Sequence, residues 1–108
     1  MPVVNKLRGM ISLAAKAGKM QSGDTAVRAA VQKNQAVLLL AEAEASANTR
    51  DKMEKLKAAY ALPLIYVKDL GACIGKPGRT MVAVCDMGFA EAITKINDES
   101  EHGGVVIE

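Results

Sequence analysis

A chain of 108 residues is sized for one domain and can bury a core without disulfides or metal. It is 50% apolar and 24% charged, ordinary for a folded protein. No apolar run approaches the roughly 18–20 residues of a membrane span, which excludes a membrane partner as the expectation, and the start "MPVVNKLRGM" lacks the apolar core of a secretory signal. The net charge is only +2, but residues 1–34 hold six Lys/Arg against one Asp, while residues 86–108 hold Lys95 against six acids. That asymmetry suits a polyanion-binding face with an acidic opposite end, and equally a plain solvated surface.

In chain order, Val4, Leu7, Ile11 and Ala14/Ala15 recur at helical spacing over residues 3–17, and Gly18 stops that helix. "KMQSG" (19–23) reads as an extended link, with Ser22 or Asp24 capping a second helix that runs to Lys33 over an inner stripe of Val27, Ala30 and Val31. "AVLLLAE" (36–42) is the continuously apolar strand expected when helices cover both faces. Residues 45–61 predict a third helix capped by Ser46, with Met53, Leu56 and Tyr60 on one face and an Asp51–Lys55 ion pair. Pro63 introduces the strand "LIYV" (64–67), followed by a short helix at 68–75, a turn-forming "KPGR" (76–79) and the buried strand "TMVAVCD" (80–86). Residues 88–97 form the last helix, with Phe89, Ile93 and Ile96 inside, and 98–108 read as an acidic, flexible tail. Strands alternating with helices predict a three-layer α/β/α sandwich around a small mixed sheet. Residues 1–97 are its domain.

Catalytic chemistry has little to stand on. The single histidine, His102, lies in the tail, so no Ser/His/Asp set or Cys/His pair can be drawn within the fold. Cys73 and Cys85 are twelve residues apart with no histidine nearby, which is not a zinc site. They read as reduced, buried thiols of a cytoplasmic protein. "GACIGKPGRT" (71–80) fails as a phosphate loop, because three residues rather than four separate Gly71 from Gly75 and Pro77 follows Lys76. No cofactor is expected. Aromatic residues are scarce (Tyr60, Tyr66, Phe89), so a base-stacking platform for single strands is not expected either.

Two segments remain. In "QSGDTAVRAA" (21–30), a helix opening offers free N–H groups to an anion or base edge, Gly23 permits close approach, and Arg28 can fork onto guanine. A plain i,i+4 ion pair accounts for Asp24 and Arg28 equally well. "GKPGR" (75–79) adds Lys76 and Arg79 on an exposed loop, or is an ordinary turn with solvated cations.

The stretches "LAAKAGKMQSGDTAVRAAVQKNQAVLLLAEAEASANTRDKM" and "LPLIYVKDLGACIGKPGRTMVAVCDMGFAEAI" together resemble the ribosomal protein L7Ae/L30e family, most closely its small bacterial ribosome-associated members. The resemblance spans about residues 5–97. It rests on the glycine-led helix opening, on "AEAEASANTR" (41–50) and on "LGACIGKPGR" (70–79) ahead of "VAV". It implies an α/β/α sandwich that binds kink-turn or similarly bent RNA, with rRNA and the ribosome as partners. Carried over position by position, the implied RNA-binding residues are Lys19, Ser22, Gly23, Asp24, Thr25 and Arg28 at the helix opening. Glu44 faces the extruded nucleotide, and Lys76, Pro77, Gly78 and Arg79 form the loop that cradles the bent strand. Asp24-Thr25 departs from the Asn-Glu or Lys-Gln of typical kink-turn binders. Lys76-Pro77-Gly78 replaces an apolar loop tip. The implied function is noncatalytic recognition of structured RNA. A protein-interaction or regulatory module on the same fold is the alternative.

Overall fold

The chain runs α1 (Val3–Lys16), β1 (Met20–Ser22), α2 (Asp24–Gln32), β2 (Leu38–Glu42), α3 (Ala47–Tyr60), β3 (Leu64–Val67), α4 (Leu70–Cys73), β4 (Met81–Val84) and α5 (Met87–Gly103). This is a computed structural model that describes residues 3–103, with side-chain surroundings given for 6–99. Local chemistry sets several of the boundaries. Gly18, at φ 74, lets the N–H groups of Gly18 and Lys19 close back on Ala15 O and Ala14 O and so end α1. The Ser46 side chain accepts from Thr49 N–H at 3.2 Å and starts α3. Ala61 ends that helix in the left-handed conformation.

The four strands form one mixed sheet in the order β1-β4-β2-β3. β4 runs antiparallel to both β1 and β2, while β2 and β3 are parallel and joined through α3. The register puts Leu40 opposite Val82 and Ile65, and Leu39 opposite Ala83 and Leu64. Alternate residues therefore serve opposite faces. Leu38, Leu40, Ile65, Val67, Val82 and Val84 pack on one side with Ile11 of α1, Leu70 and Cys73 of α4, and Ala90 and Ile93 of α5. Leu39, Ala41, Met81 and Ala83 pack on the other with Val27, Ala30 and Val31 of α2 and Met53 of α3. Helices on both faces explain why β2 and β4 are apolar at nearly every position. The arrangement is the expected α/β/α sandwich.

The structure departs from the sequence reading at four places. Residues 20–22 are an edge strand paired with β4, not a link. Gly23, not Ser22 or Asp24, occupies the N-cap of α2, and no side chain caps that end. Tyr60 is 41% exposed, so it does not share the buried face of Met53. The last helix continues past residue 97 to Gly103, because "DESEH" is helical although it carries no apolar periodicity. The "VVI" of the C-terminus lies outside the described residues.

Candidate nucleic-acid interface

The sheet register brings the C-terminal ends of β1, β2 and β3 and the N-terminal end of β4 to the same end of the molecule. The β1–α2 junction, the 43–46 turn, the 68–69 turn and the 74–80 loop all emerge there.

The α2 opening is shaped by Gly23. Its N–H donates to Met81 O at 2.9 Å, and its φ of 97 lies where L side chains are strained. The N–H groups of Asp24, Thr25 and Ala26 have no protein partner among the described residues, so the positive end of the helix faces outward unsatisfied. Thr25 is exposed beside them.

Asp24 is not a free carboxylate. Lys52 of α3 donates to its Oδ2 at 2.9 Å, and Arg28 Nε stands 2.7 Å from Oδ1. Oδ1 is itself buried and meets only the Arg28 guanidinium among the described residues. The Lys52 hydrogen bond is the main reason the Asp24 carboxyl titrates below its usual 3.8; partial desolvation opposes it, and the two cationic charges reinforce it. Arg28 is half exposed, and neither of its Nη groups is hydrogen-bonded among the described residues. Both Nη groups are therefore left without a protein partner among those residues.

The α4–β4 loop is tied to this opening. Arg79 Nη1 donates to Ser22 O at 2.8 Å and to Ser22 Oγ at 3.0 Å. The same guanidinium lies over Gly23, where an added Cβ would come within 2.9 Å of Nη1. Gly23 is thus required by its backbone angle, and a Cβ there would push the Arg79 guanidinium away from Ser22. The sequence reading has Arg79 as part of the loop that cradles the bent strand; here it is also the clasp that joins the loop to β1. The loop backbone rests on Gly71, whose missing Cβ would lie 2.8 Å from Lys76 O and 3.0 Å from Gly78 N. Lys76, Pro77 and Gly78 remain exposed.

Two further residues hold the neighbouring turns. The Glu42 carboxylate accepts from the N–H groups of Leu70 (2.9 Å), Glu44 (3.1 Å) and Asp69 (3.3 Å). Burial works against its ionisation, but these three donors, with Arg8 nearby, outweigh that and hold its carboxyl below 4.5. Arg50 donates to Ala43 O and stacks over Tyr66 with its guanidinium 4.7 Å from the ring centre. Glu44 itself is exposed on the turn fixed by these contacts. That turn adjoins the loop, because Glu42 N–H donates to Thr80 O.

The structure therefore gathers Ser22, Gly23, Asp24, Thr25, Arg28, Glu44 and Lys76 to Arg79 at one end. Lys19 is set apart. Its carbonyl accepts from Cys85 N–H at the opposite end of β1, about three strand residues or roughly 10 Å from Ser22. The sequence reading misses Lys52, Glu42, Arg50 and Gly71. Arg50 and Gly71 stand in the segments that carry the resemblance without a role given to them, and Glu42 shows only as an acid at the end of an otherwise apolar strand.

Fold and surface together define a single α/β/α sandwich in which a helix opening and a glycine-proline loop are clasped at one end of a mixed sheet. Similar proteins place it further. The chain is 35% identical over 92 residues to the RNA-binding protein YlxQ of Bacillus subtilis, covering 82% of this chain and 92% of that protein. It is 30% identical over 89 residues to the RNA-binding protein YlxQ of Enterococcus faecium, covering 80% and 85%. The chain belongs to the family of these YlxQ proteins. Among solved structures, a protein of unknown function from Bacillus halodurans superposes with a TM-score of 0.80 at 30% identity, over 87% of this chain and 98% of that one. The Giardia lamblia 15.5kD RNA binding protein superposes with a TM-score of 0.73 at 13% identity, over 92% and 88%, which shows a shared fold. No family model matches the chain.

Proposed function

We propose that this chain is a noncatalytic RNA-binding protein of the L7Ae type that takes sharply bent, kink-turn-like RNA at the end of the sheet where α2 opens, and that it works in association with the ribosome. The observation that carries the reading is the Arg79–Ser22 clasp, which makes the α2 opening and the 76–79 loop one continuous surface. The names of the relatives support RNA as the ligand. On this surface the free N–H groups of the first α2 turn donate to base-edge or phosphate oxygens. Arg28 forks onto a guanine, and Lys76 meets the bent backbone. Asp24 neutralises part of the charge of Arg28 and Lys52, so recognition leans on shape and on hydrogen-bond geometry more than on net charge.

The test is a calorimetric titration with a kink-turn RNA and with a straight duplex of equal length, each at 50 and 200 mM salt. The expected result is preference for the kinked RNA at both concentrations. Equal, weak affinity for the two would remove kink recognition. Loss of all salt-dependent RNA binding would leave a protein-interaction module on the same fold.

A further inference from the structure

A groove of about 700 Å³ begins at the end of the sheet opposite the α2 opening and runs along α5. Its floor is Val37, Pro63, Met87 and Ala90, and its rim is formed by Glu91, Asp98 and Glu99 with the single cation Lys95. Met87 is 56% exposed, one of three large apolar side chains so exposed among the described residues. A second, Tyr60, lies at the same end, just before the Ala61–Pro63 connection. None of the rim carboxylates forms an ion pair among the described residues, although Lys95 lies four residues from Glu91 on the same helix. Every ion pair described instead lies on α2 or α3. Three carboxylates against one cation beside exposed apolar side chains make the groove complementary to a cationic segment with an apolar residue.

We infer that this groove is a protein-docking site for a lysine- or arginine-rich segment with an apolar anchor. The apolar residue seats between Met87, Val37 and Pro63, and the flanking cations pair with Glu91, Asp98 and Glu99. Charge complementarity selects this occupant. A nucleic acid is repelled by the rim, and an acidic peptide leaves its own charges facing carboxylates. The groove lies along α5 and the α2 opening lies on the other face of the sheet, so both can be filled at once. The protein then joins a bent RNA to a basic protein segment.

The test uses the full chain, isotopically labelled, titrated with a synthetic helical peptide of alternating Lys and Leu pairs and with its Glu/Leu counterpart. The Lys/Leu peptide is expected to shift the amide signals of Val37, Met87, Glu91, Thr94 and Asp98 while leaving those of Gly23 to Arg28 in place. Charge reversal at two exposed rim positions, Glu91→Lys with Asp98→Lys, is expected to weaken the Lys/Leu peptide at least tenfold and to admit the Glu/Leu peptide. Equal binding of both peptides to the unmodified chain, or shifts spread over every acidic residue, would overturn the docking site. Two other occupants give their own signatures, and either overturns the proposal. Concentration-dependent dimerisation abolished by Met87→Ser would make the occupant a second copy. A tenfold gain in peptide affinity on deleting residues 104–108 would make it the chain's own C-terminal segment.

Discussion

Replacing Gly71 by Ala probes the seat of the 76–79 loop. The added Cβ would stand 2.8 Å from Lys76 O, 3.0 Å from Gly78 N and 3.1 Å from Arg79 N, against the roughly 3.5–4.0 Å of a relaxed carbon contact. All three neighbours are backbone, so no rotamer change relieves the clash, and the loop must lift by about half an ångström or more. Overpacking of this kind costs about 1–3 kcal/mol, and in a domain of this size each kcal/mol lowers Tm by about 4–8 °C. Lifting the loop also strains the Lys76 N–H bond to Gly71 O at 2.8 Å and draws Arg79 off Ser22. Losing both Arg79 hydrogen bonds, at about 0.5–1.5 kcal/mol each, weakens RNA roughly tenfold or more if they organise the surface. Gly75→Ala is the control. Its φ is 74 and no atom lies within 4 Å of an added Cβ, so it costs only the left-handed backbone penalty of roughly 1–2 kcal/mol and leaves RNA affinity alone. Thermal melts and RNA titrations of the two variants separate the effects. If Gly71→Ala keeps both the parental Tm and the parental RNA curve, the loop is not seated on Gly71 and the reasoning fails.

Arg28→Ala should reduce affinity for the kinked RNA by about 1–3 kcal/mol if the exposed fork reads a base, while the lost helix pair costs stability only about 0.3–0.5 kcal/mol; unchanged binding would leave Arg28 as a surface ion pair. Asp24→Asn removes the negative charge shared by Lys52 and Arg28, and should steepen the plot of log affinity against log salt by about 0.7–0.9 for each cation that then meets a phosphate; an unchanged slope would show that neither does. The Glu42 carboxyl titrates below 4.5 when folded, so the stability it contributes is fully present above that value and is lost as pH falls through the lower, folded pKa. Exchange protection of the Leu70 and Glu44 amides should accordingly hold down to pH 4.5 and fade below it, and fading between pH 5 and 6 would contradict the assigned hydrogen bonds.

Local chemistry made much of the architecture readable. Ser46 announces α3 because its hydroxyl caps an N–H three residues on, and the unbroken apolar runs announce β2 and β4 because helices cover both faces. What escaped depends on distant partners. β1 is three residues long, too short for a period-2 pattern, and exists because β4 pairs with it. Asp24 looks like a cap, but Lys52, 28 residues away, takes its carboxylate. Glu42 looks like a strand end, yet its partners Asp69 and Leu70 lie 27 and 28 residues further on. At the site, Gly23, Arg28 and the 76–79 loop were legible from residue type. The clasp that unites them was not, since Ser22 and Arg79 are 57 residues apart.

The atoms of the 76–79 loop that meet Gly71 are Lys76 O, Gly78 N and Arg79 N, all main-chain. Nothing in that seat asks for lysine or proline at the tip. The scaffold therefore separates where the loop stands from what it presents. A library randomised at positions 76 and 77, with Gly71 and Arg79 kept, would vary preference among folded targets without re-engineering the domain beneath.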